Sequence, residues 1–353
     1  MSRSLKIAVG MSGGVDSSVT AALLKQEGYD VAGVTLKLWG GQSDSGCCSV
    51  SDVEDARFVA KKIGINHHVW GFVEEFEEKV VAPYVESHAR NETPNPCVEC
   101  NRHLKFDLML QRAKRLGFDA IATGHYARII TDENKKRYLA RSADTKKDQS
   151  YVLSGISKDV LEMCLFPLGD FEKSKVRQIA TELDLLTANK PDSQDVCFIL
   201  ATGGRKEFLS KKIPLNKAQI VDDGTDEILG EIEAMELVTL GQRREIGISR
   251  YGQRQYVVNV NPKSQQVRIG PLERLLVDEI RFGDENLLID SITDKQKIIV
   301  QVSAHGKPIK ATYLKEGKIL FDSSQRKVAP GQIVAFYDTD NVRVLGSATV
   351  VSH

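Results

Sequence analysis

From Leu5 to Ile130 the chain alternates short apolar runs of strand length with longer segments whose apolar positions recur at helical spacing. The runs Leu5–Val9, Tyr29–Trp39, "HHVWGF" (67–72) and "DAIATGHYARII" (119–130) predict four strands. Between them, Ser17–Gln26 predicts a helix ended by Gly28. Ser51-Asp52-Val53-Glu54 reads as a capping box opening a helix that stops at Gly64. Two more helices are predicted over Glu74–Arg90 and Arg102–Leu116. Strands that alternate with helices predict an α/β fold with a doubly wound parallel sheet.

The pattern changes near Gly203-Gly204. After a helical stretch at Arg205–Lys212 come strand-like, turn-separated runs: "QYVVNV", "QVRIG", "KIIVQVSA", "KILFDS", "QIVAFYD" and "VRVLGSATVV". Three domains follow: residues 1–204, a small central mixed domain over 205–272, and a C-terminal β-barrel over 273–353.

Forty-eight basic residues balance 48 acidic ones, so net charge neither selects nor excludes a nucleic-acid partner. No apolar run reaches membrane-spanning length, and only a few residues precede the first strand, too few for a targeting peptide. Six cysteines, at 47, 48, 97, 100, 164 and 197, are too sparse for a disulfide scaffold and point to a reducing, cytoplasmic setting.

Candidate chemistry begins at "IAVGMSGGVDSSVTAALL" (7–24), where a strand, a glycine turn and a helix N-terminus make an anion site. No lysine follows Gly13 or Gly14, which excludes a P-loop, and the spacing of Gly10, Gly13 and Gly14 excludes a dinucleotide fingerprint. What remains is Ser12-Gly13-Gly14-Val15-Asp16-Ser17, with two hydroxyls able to donate. Asp16 sits oddly beside an anion unless a cation such as Mg²⁺ lies between them. The motif resembles the PP-loop of ATP pyrophosphatases, which cleave ATP between the α and β phosphates.

"TPNPCVECNRHLKF" (93–106) places Cys97 and Cys100 just before a helix that Asn101 would cap. There the helix dipole, Arg102 and Lys105 would favour a Cys100 thiolate, the form that acts as nucleophile. A zinc site pairing Cys97 and Cys100 with Cys47 and Cys48 competes with this reading, though zinc prefers two spaced pairs. Cys164 reads as core. Cys197, in "KPDSQDVCFI", reads equally as core or as the surfacing end of a strand.

Taken with "ATGHYAR", "KDQSYVLS", "FPLG", "KVRQIA", "TLGQRREIGI" and "PGQIVAFYD", these motifs resemble the tRNA-specific 2-thiouridylase family over nearly the whole chain. The resemblance implies an adenine nucleotide alpha hydrolase-like catalytic domain that adenylates the C2 oxygen of a wobble uridine and replaces it with sulfur. It implies that Gly10, Met11, Ser12, Gly13, Gly14, Val15, Asp16 and Ser17, with Leu36 and Gly124, bind ATP, and that Asp16 helps hold Mg²⁺. Cys100 would be the nucleophile and Cys197 the persulfide carrier, the two ending as a disulfide. Asn95, Pro96, Cys97, His125, Lys147, Asp148, Gln149 and Gln332 would meet tRNA. The implied partners are the lysine, glutamate and glutamine tRNAs and a persulfide donor such as a cysteine desulfurase or relay protein.

Three stretches depart from the family pattern. Ile232 and Ala234 stand where a histidine and a glycine are usual, and Glu245 replaces a glycine. Ser303 to His305 replaces an arginine-tyrosine-arginine run, which implies fewer phosphate contacts from the barrel. Two rival functions use the same glycine loop: adenylation of a small carbonyl substrate, and nucleotide-dependent tRNA sensing without sulfur chemistry. Both leave Cys100 and Cys197 without a role.

Overall fold

The computed structural model describes residues 4–39, 49–192, 196–243, 246, 249–250 and 253–352. Five parallel strands form the first sheet, in the order β3-β2-β1-β4-β5: β1 Lys6–Gly10, β2 Asp30–Lys37, β3 Asn66–Gly71, β4 Ala120–Thr123 and β5 Cys164–Leu165. Side chains alternate across β1, so Ile7 and Val9 face one core and Ala8 the other. The first core holds α1 (Val15–Gln26), α2 (Val50–Ile63) and the helix Lys173–Glu182 against the sheet. The second takes two long helices, 73–89 and 96–115, each containing a π-helical segment. This is the doubly wound sheet expected. β1 and β4 are adjacent while the chain runs outward from them in opposite directions, so the crevice at their carboxyl ends is where such sheets bind ligands.

Two local expectations are corrected. The cap of α2 is Ser49, not Ser51. The Ser49 hydroxyl accepts from the Asp52 N–H (3.1 Å) and donates to the Asp52 carboxylate (2.7 Å), so the box lies two residues earlier. The long run 119–130 is also not one strand. It breaks at Gly124-His125, and Ala127–Thr131 pairs with Arg137–Arg141 as a separate hairpin.

Beyond the helix Arg205–Ser210, a four-stranded mixed sheet is ordered Tyr256–Asn261, Gln266–Gly270, Ala218–Asp222, Ile228–Ile232. Ala234, one of the departures, is buried there. Six strands then close a barrel in the order Leu276–Leu287, Lys318–Arg326, Ile309–Leu314, Lys297–Gln301, Ile333–Tyr337, Val344–Ser352. The barrel is fastened to the first domain by buried polar contacts. The Tyr151 hydroxyl donates to the Ile333 carbonyl (3.0 Å), Ser347 Oγ donates to the Ser154 carbonyl (3.0 Å), and the Arg141 guanidinium lies 3.7 Å from the Tyr337 ring centroid. No helix among the described residues is long and apolar enough to cross a membrane.

Candidate active site

Between β1 and α1 the chain turns through Met11–Gly14, with Gly14 as the N-cap of α1. Gly13 has φ +72°, and a Cβ there would stand 2.4 Å from the Asp52 carbonyl oxygen, so the loop presses on the first turn of α2. The loop is braced from within. Met11 N–H donates to the Val34 carbonyl (2.8 Å), Thr35 Oγ1 donates to the Met11 carbonyl (2.7 Å), and Ser12 N–H donates to Ser17 Oγ (3.2 Å). The first N–H groups of α1 have no intrahelical partner and point into the crevice beside the exposed Ser12. Gly124 covers this turn so closely that a Cβ would lie 2.8 Å from the Ser17 nitrogen. Leu36 sits half-buried near the end of β2.

Asp16, odd in the sequence, is explained here by a lysine. Lys173 Nζ lies 2.7 Å from both Asp16 carboxylate oxygens and 2.8 Å from Asp192, and its side chain is 12% exposed. The Tyr126 hydroxyl donates to Asp16 as well (2.8 Å). Mg²⁺ brought in with ATP would find one protein carboxylate here, Asp16, the rest of its shell being phosphate oxygens and water. Among the described residues no group of three or more His, Cys, Asp or Glu side chains could hold an ion, and the Asp16 carboxylate is already engaged. The chain itself places an ammonium beside the loop. Lys173 lies outside the glycine motif, just before "KVRQIA", so no local pattern links it to Asp16 (157 residues away).

The cysteine helix starts earlier than expected. Asn95, not Asn101, is its cap: Asn95 Oδ1 accepts from the Cys97 N–H (3.1 Å) and the Val98 N–H (3.4 Å), with Pro96 in the first turn. Asn101 is instead buried, donating to the Val152 carbonyl (3.1 Å). Cys100 therefore lies beyond the first turn and is only 8% exposed. Burial pushes its thiol up to about 12. Lys105 acts in the opposite direction, as expected from the sequence, but is outweighed, and the charges of Cys197 and Cys97 push upward too. The resting Cys100 is a thiol, which corrects the expected thiolate. Its alkylation by iodoacetamide in the free protein should rise about tenfold per pH unit between pH 7 and 10. Peptide mass spectrometry would read this, and a plateau near pH 8.5 would show that the thiol is not held up by burial.

Cys197 opens a short helical turn, Cys197–Leu200, rather than ending a strand. It is half-buried and packs against the apolar cluster that contains Cys100, while Phe198 beside it fills the core against Phe76, Tyr84 and Phe208. Cys97 is exposed and Cys164 is buried. Cys47 and Cys48 lie outside the described residues, as do the polar positions 193–195. One segment links the two halves of the site. Gly124 lies on the glycine loop and Tyr126 bonds Asp16. Between them, the His125 ring stands 5.8 Å from Phe106 on the cysteine helix. Burial, with help from the Lys105 charge, holds His125 neutral.

Residues 5–201 match the family described as tRNA methyl transferase HUP domain. Residues 206–271 match the corresponding PRC-barrel domain, and 275–350 the aminomethyltransferase beta-barrel domain. A tRNA-specific 2-thiouridylase MnmA of Clostridioides difficile (strain 630) is 42% identical over 349 residues, 96% of each chain. That of Desulforamulus reducens is 41% identical over 357 residues, 98% of this chain and 96% of the relative. The chain belongs to the tRNA-specific 2-thiouridylase family.

Within this 2-thiouridylase chain, the remaining positions separate into exposed and internal ones. Asp148 is internal: its carboxylate accepts from Arg141 (2.7 Å), the Ser142 N–H (2.9 Å) and Ser150 Oγ (2.8 Å). Gln149 Oε1 accepts from the Tyr126 N–H (2.9 Å) and fixes the strand end beside Asp16. Lys147 is more open and pairs with Asp192 (2.8 Å). Gln332 Nε2 donates to the Thr93 carbonyl, and the Pro330 carbonyl accepts from the Thr93 N–H (2.8 Å). The barrel thus holds the strand of chain that enters the Asn95 cap. His305 is exposed on a surface turn.

Proposed function

We propose that this chain is an ATP-dependent tRNA-uridine 2-sulfurtransferase acting on the wobble position of the lysine, glutamate and glutamine tRNAs, in the cytoplasm. The observation that carries the proposal is the segment Thr123–Tyr126, which joins an anion-binding loop to a pair of cysteines. ATP phosphates lie on Gly10–Ser17, with Leu36 and Gly124 on the adenosine side, and Lys173 turns from Asp16 toward the phosphates. The C2 oxygen of uridine attacks the α phosphorus and pyrophosphate leaves. The uridine must leave its stack to reach the crevice, where Asn95–Cys97 and the neutral His125 border it.

Sulfur arrives as a persulfide on Cys197 from a cysteine desulfurase or relay protein. A raised Cys100 thiol favours the order in which the terminal persulfide sulfur attacks C2 first and displaces AMP. Cys100 then gives up its proton and attacks the Cys197 sulfur. The S–S bond to the base breaks, the thiocarbonyl leaves with its electron pair, and a Cys100–Cys197 disulfide remains for an external dithiol to reduce. Methyl transfer, as the description of the matched domains words it, leaves both cysteines idle. The test supplies ATP with Mg²⁺, unmodified tRNA, a persulfide donor (a cysteine desulfurase with free cysteine) and a dithiol, then digests the RNA for nucleoside mass spectrometry. We expect 2-thiouridine at one residue per tRNA. Its absence while ATP still binds would overturn the proposal.

A further inference from the structure

Among the described residues, two arginines of the central domain and Arg274 just beyond it have partners. Arg268 pairs with Asp226 (2.7 Å) and Asp223 (3.7 Å), Arg274 with Asp223 (3.4 Å), and Arg205 donates to the Leu237 carbonyl (2.8 Å). Arg243 and Arg254, with Arg326 from the barrel, differ. All three are exposed and line one open pocket of about 490 Å³ with Gly241, Gln242 and Tyr256, and among the described residues no acidic side chain contributes to its wall.

Backbone geometry brings them together. Gly241, at φ +81°, turns the chain so that its N–H donates to the Val257 carbonyl (2.8 Å), while the Val257 N–H donates to the Gln242 carbonyl (2.9 Å). That ladder sets Arg243 beside Tyr256. Arg326 reaches the same place because it is paired with Leu276, the first residue of the barrel's opening strand, where the chain leaves the central domain. Its guanidinium stands 5.7 Å from the Tyr256 ring centroid. The pocket therefore spans the seam between central sheet and barrel.

Three guanidinium groups around one pocket repel each other unless an anion lies among them, and a planar fork suits a phosphate. We infer that this pocket holds a backbone phosphate of the tRNA, away from the reacting uridine, and so supplies the phosphate contacts that Ser303 to His305 do not. The inference depends on tRNA being the substrate, as proposed above. A phosphate there carries no sequence information. It sets the register of the tRNA across the seam.

The test measures affinity of the full-length protein for unmodified tRNA against KCl concentration, for the parent, Arg254→Gln, Arg326→Gln, the double variant and Arg326→Lys. We expect the slope of log affinity against log salt to fall by about one per arginine removed, with weaker binding at every salt and little change for Arg326→Lys. ATP affinity at the glycine loop should stay as in the parent. A double variant with the parent's slope would overturn the inference and leave the sulfurtransferase reading standing. Loss of pyrophosphate affinity with unchanged tRNA affinity would assign the pocket to a free anion and overturn it equally. A parent protein that binds no tRNA would sink the sulfurtransferase reading itself.

Discussion

Cys197→Ser should abolish 2-thiouridine formation from a persulfide donor while tRNA-dependent pyrophosphate release continues. Serine fits the site left by cysteine but cannot carry a transferable sulfur, so the expected loss of thiolation is at least about 10³-fold. Adenylation should persist because the bonds that brace the glycine loop come from Val34, Thr35 and Ser17, on β2 and α1. The two sites are nevertheless tied. Just upstream of Cys197, Lys190 pairs with Asp52 (2.7 Å) and Asp55 (2.6 Å), and Asp192 pairs with Lys147, Lys173 and Arg177. On the other side, Phe198 is locked into an aromatic cluster. The cysteine is thus held from both sides, close enough to Cys100 for its charge to act on that thiol. Mass spectrometry of digested tRNA and a pyrophosphate assay on the same reaction check the prediction. Thiolation at the parent's rate would remove Cys197 from the sulfur path, and joint loss of both signals would mean that the substitution disturbs the nucleotide site.

Where local chemistry settles the structure, the sequence shows it. Alternating apolar runs gave the parallel sheet, and the glycine turn before Val15 gave the anion site, because both depend on neighbours a few residues apart. The start of the cysteine helix was misplaced since two asparagines, Asn95 and Asn101, both fit a cap, and only packing decides between them. Burial of Cys100 was invisible for a related reason: its cover comes from distant segments, including Cys197 and its neighbours. The break at Gly124-His125 was hidden because "DAIATGHYARII" carries apolar residues of strand type on both sides of it. It is a close approach to α1, not local propensity, that ends the strand there. Lys173 was missed entirely. Its meaning lies in a partner 157 residues away, and lysines in helical first turns are common.

Lys173→Met should lower ATP-dependent pyrophosphate release by about 10²- to 10³-fold, the scale on which a single positioned donor contributes to a developing charge. Asp16 stands in the first turn of α1, where the incoming polyphosphate must lie, and two anions cannot share that space without a cation. Lys173 is the cation in reach, at 2.7 Å from both carboxylate oxygens. Methionine keeps the length of the side chain and removes the charge, so the loop keeps its shape but meets ATP beside a bare carboxylate. The substitution also strips Asp192 of one partner. Burial pushes that carboxyl upward, but Lys147 and Lys173 together hold it at about 2. A depressed carboxyl stabilises the fold fully above its unfolded value of 3.8 and loses that stabilisation as the pH falls toward 2. With Lys173 gone the carboxyl is depressed less and contributes less stability above 3.8, so the variant should unfold in acid at a higher pH than the parent. Loss of fold and loss of function are separated by Lys173→Met combined with Asp16→Asn, which removes the unpaired charge on the loop. That pair should regain thermal stability relative to Lys173→Met alone, since the two residues are in direct contact. It should not regain pyrophosphate release, because the phosphates still lack their cation. Release at the parent's rate by either variant would show that Lys173 only neutralises Asp16 and that the nucleotide draws its countercharge from elsewhere.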